Sequence, residues 1–105
     1  MAGQFTGKSP FYFFPGLVPP IEQDRFYAYI LQSTTHPAQF YRGHTSDLKN
    51  RLAEHNAGKC SHTSKYMPWK VKFYAAFEKL ELAQSFEQYL KSGSGHAFSK
   101  RRLGL

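Results

Sequence analysis

The sequence contains a single cysteine, few acidic residues and no long hydrophobic run. The lone Cys60 excludes an internal disulfide and fits a reducing, cytoplasmic compartment. Cys60 and His62 could suggest a zinc site, but such a site needs three or four ligands at defined spacing. None of the other four histidines completes one. No apolar stretch approaches the ~20 residues of a membrane span. Three prolines interrupt residues 11–20, which therefore make a poor signal peptide.

Acidic residues are outnumbered: fourteen Lys and Arg against seven Asp and Glu give a net charge of +7. In a chain of 105 residues this excess indicates a polyanionic partner, nucleic acid first and an anionic membrane second. Solubility alone is the other explanation. A hydrophobic content of 41 %, with ten Phe and seven Tyr, is that of one globular domain with its own core.

Proline separates the two parts of the chain. Residues 1–24 hold four of the six prolines and show neither a helical nor a strand period. They predict an irregular N-terminal extension without chemistry of its own. Residues 25–105 are predicted to form the folded domain.

Two strands and a helix are predicted next. Residues 26–32 and 39–45 are rich in aromatic and β-branched residues and predict a hairpin. A helix follows, with Thr45 or Ser46 as its N-cap and Gly58 as its stop.

The second half of the domain predicts a further strand and helix. After Pro68 apolar residues alternate and indicate a half-solvated strand, with one apolar face formed by Trp69, Val71, Phe73, Ala75 and Phe77 and with Tyr74 pointing the other way. A helix is expected over residues 80–92, with a buried stripe of Leu82, Ala83, Phe86 and Leu90, and residues 97–105 form a short basic tail. The order ββαβα predicts an α+β domain with a three-stranded antiparallel sheet flanked by helices.

Polar residues that interrupt these patterns are candidates for function. Glu87 lies on the buried side of its helix, where a carboxylate needs either a cationic partner from a facing helix or a metal ion. Arg51 and His55 are four residues apart on one helical face; phosphate binding and proton transfer suit them, although an exposed face paired with Glu54 is favoured. Tyrosines in the hairpin strands, such as Tyr29, are predicted to serve packing first, as strand tyrosines usually do.

Taken together, residues 26–103 resemble the GIY-YIG nuclease domain, and the small single-domain bacterial members above all. The first motif stands as Tyr27-Ala28-Tyr29 and the second as Tyr41-Arg42-Gly43, with Gly43 allowing close backbone approach. The resemblance is completed by an arginine and a histidine on the first helix and a glutamate on a later one, here Arg51, His55 and Glu87.

Some positions depart from the family pattern. Ala28 and Arg42 replace the usual aliphatic middle residues, and Tyr27 replaces a glycine. His44 stands where a lysine is common, and Ser99 stands at the spacing where many members have an asparagine.

The resemblance implies a DNA endonuclease that serves DNA repair or recombination. Glu87 would be the protein ligand of one Mg²⁺ or Mn²⁺ ion, and Arg51 would bind the phosphate. Tyr29 or Tyr41 would accept the proton of the attacking water, with His55 assisting. Predicted nucleic-acid contacts are His44, Lys70, Lys72, Lys100, Arg101 and Arg102. Flaps, nicks or branches are the expected substrates, because nothing in the sequence indicates a separate reader of base sequence.

Two other functions remain open. A non-catalytic nucleic-acid-binding module would keep the fold and the salt-dependent affinity but would not cleave. A nuclease that requires a partner protein for targeting would cleave only in that partner's presence.

Overall fold

The structure, a computed structural model, describes residues 25–105, and the predicted extension at residues 1–24 lies outside the described part. In chain order its elements are β1 (Phe26–Ser33), β2 (Phe40–Thr45), α1 (Leu48–Asn56), a 3-10 turn (Ser64–Tyr66), β3 (Trp69–Phe77), α2 (Leu80–Lys91) and α3 (Gly93–Leu103). The strands form an antiparallel sheet of order β2-β1-β3. The predicted α+β class and antiparallel sheet are confirmed, with one helix more than expected. No helix within residues 25–105 is long and apolar enough to cross a membrane.

The central strand β1 is covered on both faces. Because side chains alternate along a strand, Tyr27, Tyr29 and Leu31 pack on the side of α1. Ala28 and Ile30 pack on the opposite side, against α2 and α3. The strand β2 lies at one edge of the sheet, so side chains from both layers can meet around it.

The strand β3 contains a bulge at Lys72. Ile30 and Leu31 of β1 lie opposite Phe73 and Val71, which leaves Lys72 without a partner in the ladder. An extra residue reverses the faces of the side chains that follow it. The side chains on the α1 side are therefore Trp69, Val71, Tyr74 and Ala76, and those on the α2 side are Phe73, Ala75 and Phe77. The prediction of a single apolar face with a solvated Tyr74 is therefore wrong. It assumed an unbroken alternation, and the sequence pattern does not reveal that Lys72 is unpaired in the ladder.

Helix α1 is capped by the aspartate rather than by the hydroxyl residues before it. The side chain of Asp47 accepts a hydrogen bond from the Asn50 amide at 3.1 Å, so the expected cap at Thr45 or Ser46 is one or two residues too early. The predicted stop at Gly58 is confirmed, since this glycine has a φ of 78° just after the C-cap.

The predicted basic tail is part of a third helix. Ser92 caps α3 by accepting a hydrogen bond from the Gly95 amide at 3.1 Å. Two glycines in its first turn lower helix propensity and conceal the helix in the sequence. Gly95 is needed there, because a Cβ would lie 1.8 Å from the backbone oxygen of Tyr89 in α2. In α2 the buried residues are Ala83, Glu87 and Leu90, whereas Leu82, expected in the buried stripe, is 42 % exposed.

Candidate active site

The two motif tyrosines meet across the β1–β2 hairpin at Gly43. Tyr29 lies opposite Gly43 in the strand register. A Cβ on Gly43 would lie 2.7 Å from the Tyr29 hydroxyl oxygen and 3.0 Å from a ring carbon of Tyr41. The Tyr29 ring therefore occupies space that any other residue at position 43 would fill, and its hydroxyl reaches toward the edge strand.

His55 of α1 joins this pair of tyrosines and is fully buried. Its Nε2 lies 3.3 Å from the Tyr29 hydroxyl, and its ring centre lies 4.7 Å from that of Tyr41. Its Nδ1 lies 2.9 Å from the Thr63 hydroxyl. Burial lowers the pKa of His55, and the nearby Arg51 cation lowers it further, so the imidazole is neutral at pH 7.

Arg51 stands one helical turn before His55 and forms an ion pair on its own helix. Its Nη1 donates to a Glu54 carboxylate oxygen at 3.0 Å, so the expected pairing with Glu54 exists. The helical face is not simply exposed, however, because His55 on the same face is buried among the site residues. Hydrogen bonding to Glu54 and then to Tyr29 raises the pKa of Arg51.

The surroundings of Tyr29 keep its hydroxyl protonated. Burial raises the pKa of Tyr29 above its ordinary value, and the hydrogen bond from Arg51 offsets only part of that effect. Tyr29 is therefore not a tyrosinate at neutral pH.

Glu87 of α2 is held on the other side of the same edge strand. Its carboxylate is hydrogen bonded to Nδ1 of His44, the β2 residue next to Gly43, and accepts from Lys91 Nζ at 2.6 Å. Burial would raise the pKa of Glu87, but the hydrogen bonds from Lys91 and His44 outweigh burial and lower it. The carboxylate is thus ionised at neutral pH. Its partners come from its own helix and from β2, not from a facing helix.

The donor set around Glu87 fits a hard divalent ion held by one carboxylate. Within residues 25–105 no three His, Cys, Asp or Glu side chains come together, so water and substrate oxygens would supply the remaining ligands. An ionised, nearly buried carboxylate is a suitable ligand for Mg²⁺ or Mn²⁺. Lys91 and His44 occupy its two oxygens, and a bound ion would displace at least one of them.

The other predicted residues are not gathered at this edge. Exposed Lys70 and half-buried Lys72 lie on β3, which β1 separates from β2. The exposed cations of the last turn of α3 are Lys100, Arg101 and Arg102. Ser99 is buried and donates its hydroxyl to the Gly95 carbonyl at 2.9 Å, so its hydrogen bond is made inside α3.

Sequence reasoning missed three residues at or near the site. Lys91 could have been found, because it lies four residues after Glu87 on one helix. Thr63 gave no signal, since it lies in an irregular connector. Arg42 was treated as a departure from a motif; its Nε is buried and has no hydrogen-bond partner among residues 25–105.

An α+β domain with tyrosines, a neutral histidine, an arginine and an ionised carboxylate around one sheet edge is typical of a small nuclease domain. The chain belongs to the GIY-YIG family: the profile of the GIY-YIG catalytic domain matches residues 25–101. Membership places it among the nucleases, which hydrolyse phosphodiester bonds, bind DNA and generally use a divalent metal ion.

Similar bacterial proteins are the UPF0213 proteins of Streptococcus pyogenes, among them those of serotype M5 (strain Manfredo), serotype M3 (strain SSI-1) and serotype M1. Each is 39 % identical to this chain over 66 residues, which cover 62 % of this chain and 70 % of the relative. These relatives are small members of the same family.

Proposed function

We propose that this protein is a metal-dependent, structure-specific DNA endonuclease that acts in DNA repair or recombination. The observation that carries the proposal is the hydrogen bond between Tyr29 and the neutral His55, beside Arg51 and across the edge strand from the ionised Glu87. A proton acceptor, a phosphate-binding cation and a metal-binding carboxylate are the groups that phosphodiester hydrolysis requires.

Proton transfer through Tyr29 avoids the formation of a tyrosinate. The raised pKa of Tyr29 makes ionisation before attack unfavourable. We infer that the water proton passes to the Tyr29 oxygen as the tyrosine's own proton passes to Nε2 of His55. The lowered pKa of His55 keeps that nitrogen unprotonated and ready to accept.

Phosphate binding falls to Arg51 and metal binding to Glu87. A planar guanidinium binds two phosphate oxygens at once, and Arg51 would exchange its contact with Glu54 for them. A Mg²⁺ or Mn²⁺ ion on Glu87, when bound, supplies positive charge to the phosphate and the leaving oxygen.

Recognition of DNA structure rather than sequence agrees with the spread of positive charge. The candidate phosphate contacts lie on different elements: His44 on β2, Lys70 and Lys72 on β3, and the three cations that end α3. Contacts to phosphates position a nuclease on DNA but carry no direct base readout. Flaps, nicks or branches are therefore the proposed substrates, and a partner protein could direct the enzyme to them in the cytoplasm.

Cleavage of labelled DNA tests the proposal. Flap, nicked, branched and linear DNA, with an RNA counterpart, are incubated with Mg²⁺, Mn²⁺ or EDTA and with wild type or Glu87→Gln. Metal-dependent cleavage of the branched substrates should fall by at least ~100-fold in Glu87→Gln. Glu81→Gln, an exposed change on the same helix, is the matched control and should cleave like wild type. Equal cleavage by Glu87→Gln and wild type would remove Glu87 from the mechanism.

A non-catalytic nucleic-acid-binding module is the second candidate. It is favoured by one observation: His44 and Lys91 already engage both oxygens of the Glu87 carboxylate. In that case wild type would bind DNA without cutting it in either metal. Glu87→Gln would then leave the affinity nearly unchanged.

A further inference from the structure

Thr63 is held rigidly in the connector between α1 and β3. It is 2 % exposed. Its amide donates to the Cys60 carbonyl at 3.1 Å, and its own carbonyl accepts from the Trp69 indole at 2.9 Å. Its side chain therefore reaches His55 from a fixed backbone.

A chain of hydrogen bonds runs from Tyr29 through His55 and Thr63 to the carbonyl of Cys60. Its three links are Tyr29 to His55 Nε2 at 3.3 Å, His55 Nδ1 to Thr63 at 2.9 Å and Thr63 to the Cys60 carbonyl at 3.2 Å. The carbonyl end fixes its direction, because a carbonyl only accepts and the Thr63 hydroxyl must therefore donate to it.

One assignment of protons satisfies every link. The Tyr29 proton points to His55 Nε2, the hydrogen-bond partner of its hydroxyl. The Thr63 proton points to the Cys60 carbonyl, so the threonine oxygen accepts from His55 Nδ1. His55 then carries its proton on Nδ1 and presents a lone pair at Nε2.

The opposite assignment leaves a donor unpaired. If Thr63 donated to Nδ1, the imidazole proton would lie on Nε2 and point at the Tyr29 oxygen. The buried Tyr29 hydroxyl would then have no acceptor among the hydrogen bonds of residues 25–105. An unsatisfied buried donor is costly, so this tautomer is disfavoured.

We propose that Thr63 is a positioning residue that holds His55 in the Nδ1–H tautomer, with the free lone pair of Nε2 directed at Tyr29. The catalytic consequence rests on the proposed function: only this tautomer accepts the tyrosine proton. The resulting imidazolium keeps its Nδ1–H on the Thr63 oxygen. Fixing a tautomer through the second ring nitrogen is a common role of carboxylate and carbonyl oxygens, and the Thr63 hydroxyl oxygen takes that place here.

A pair of variants separates the hydroxyl from the shape of the side chain. Thr63→Val keeps the volume but removes the acceptor, and Thr63→Ser keeps the acceptor. The tautomer is read from two-bond ¹H–¹⁵N correlations of ¹⁵N-histidine-labelled protein, with the His55 signals assigned by their loss in His55→Gln. Wild type and Thr63→Ser should show the Nδ1–H form, and Thr63→Val should show the Nε2–H form or a mixture.

Kinetics on the cleaved DNA give the second readout. We expect kcat of Thr63→Val to fall by roughly 10- to 100-fold with little change in KM, and Thr63→Ser to stay within about threefold of wild type. An Nε2–H signal in wild type would overturn the proposal even if Thr63→Val does not fold, and so would a Thr63→Val spectrum identical to wild type. Absence of cleavage by wild type, with the expected spectra, would instead refute the proposed function and leave the tautomer assignment intact.

Discussion

Tyr29 and Tyr41 were equivalent candidates in the sequence and differ clearly in the structure. Tyr29 is buried and hydrogen bonded to His55, whereas Tyr41 is half-buried and packs at a tilt of 57° against the same imidazole. Only Tyr29 has a direct path for its proton to a neutral base. In the proposed mechanism this difference gives the two rings separate roles.

Removing each hydroxyl should therefore have unequal effects. Tyr29→Phe should lower kcat by at least ~100-fold, the usual contribution of a positioned acid or base. Tyr41→Phe keeps the ring that packs on His55 and should lower kcat by less than ~10-fold. Both rates are measured on the same DNA substrate at saturating metal. A larger loss in Tyr41→Phe would transfer the proton-accepting role to Tyr41.

The pKa shifts of the same residues predict a broad pH plateau. His55 must be neutral to accept a proton, and its pKa lies below the ordinary 6.5, so kcat/KM should fall only as the pH drops below that value. The raised pKa of Tyr29 keeps its proton in place up to pH 10 and beyond. An initial-rate profile between pH 5 and 9, measured at roughly half-unit steps, checks this expectation. An acidic limb centred above 6.5 would contradict it.

At the residue scale the sequence supplied identities but not contacts. The resemblance named Arg51, His55 and Glu87, and the structure places them around one strand. Partners on the same helix, Glu54 and Lys91, follow from helical spacing, but His44 and Thr63 were not predictable, because they are 43 and 8 residues away from the groups they bind. Such pairs depend on how elements pack, which no local pattern encodes.

At the scale of elements, α2 and α3 form a closely packed helical pair. Ser92 ends α2 and caps α3, so the chain changes direction without an intervening loop. The backbone of α3 at Gly95 touches that of α2, and Phe98 and Leu103 of α3 cover the apolar cluster beneath. Since Glu87 lies on α2, the position of the carboxylate depends on this packing.

The two glycines of α3 should respond oppositely to alanine. Gly95→Ala places a methyl group 1.8 Å from a Tyr89 backbone oxygen, so the helices must separate and stability should fall by about 3 kcal/mol. Gly93→Ala meets no atom within 4 Å and should raise stability by up to ~0.5 kcal/mol through helix propensity. Urea unfolding followed by circular dichroism measures both. Equal effects of the two changes would contradict the close approach.

Strands and helices with regular periods were predictable, and irregular ones were not. The hairpin and α1 follow from aromatic alternation and from the stop at Gly58. The bulge at Lys72 reverses an alternation that looks regular in the sequence, and α3 begins with residues of poor helix propensity. In both cases tertiary packing outweighs the local preference.

At the scale of the whole molecule, positive charge is distributed over both edges of the sheet. Lys91 pairs with Glu87, which is hydrogen bonded to His44 of β2, and Arg51 stands one turn before His55 on α1, whereas Lys70 and Lys72 lie on β3. The first group touches the proposed reacting centre. The second can act only through DNA that extends across the sheet.

The lysines of β3 should therefore affect DNA binding without affecting the chemical step. Removing one phosphate-binding cation reduces the slope of log K against log salt concentration by ~0.9, so Lys70→Gln with Lys72→Gln should reduce it by up to about 1.8 and raise KM. The doubly substituted Lys70→Arg, Lys72→Arg protein keeps the charge and should keep the slope. Because Lys70 lies opposite Gln32, Lys72 lies at the bulge beside Ile30 and Leu31, and Tyr29 is paired with Tyr74 instead, kcat should be unchanged. Fluorescence anisotropy between roughly 50 and 200 mM salt gives the slope. A fall in kcat with an unchanged slope would mean that β3 contributes to the reacting centre and that DNA does not cross the sheet.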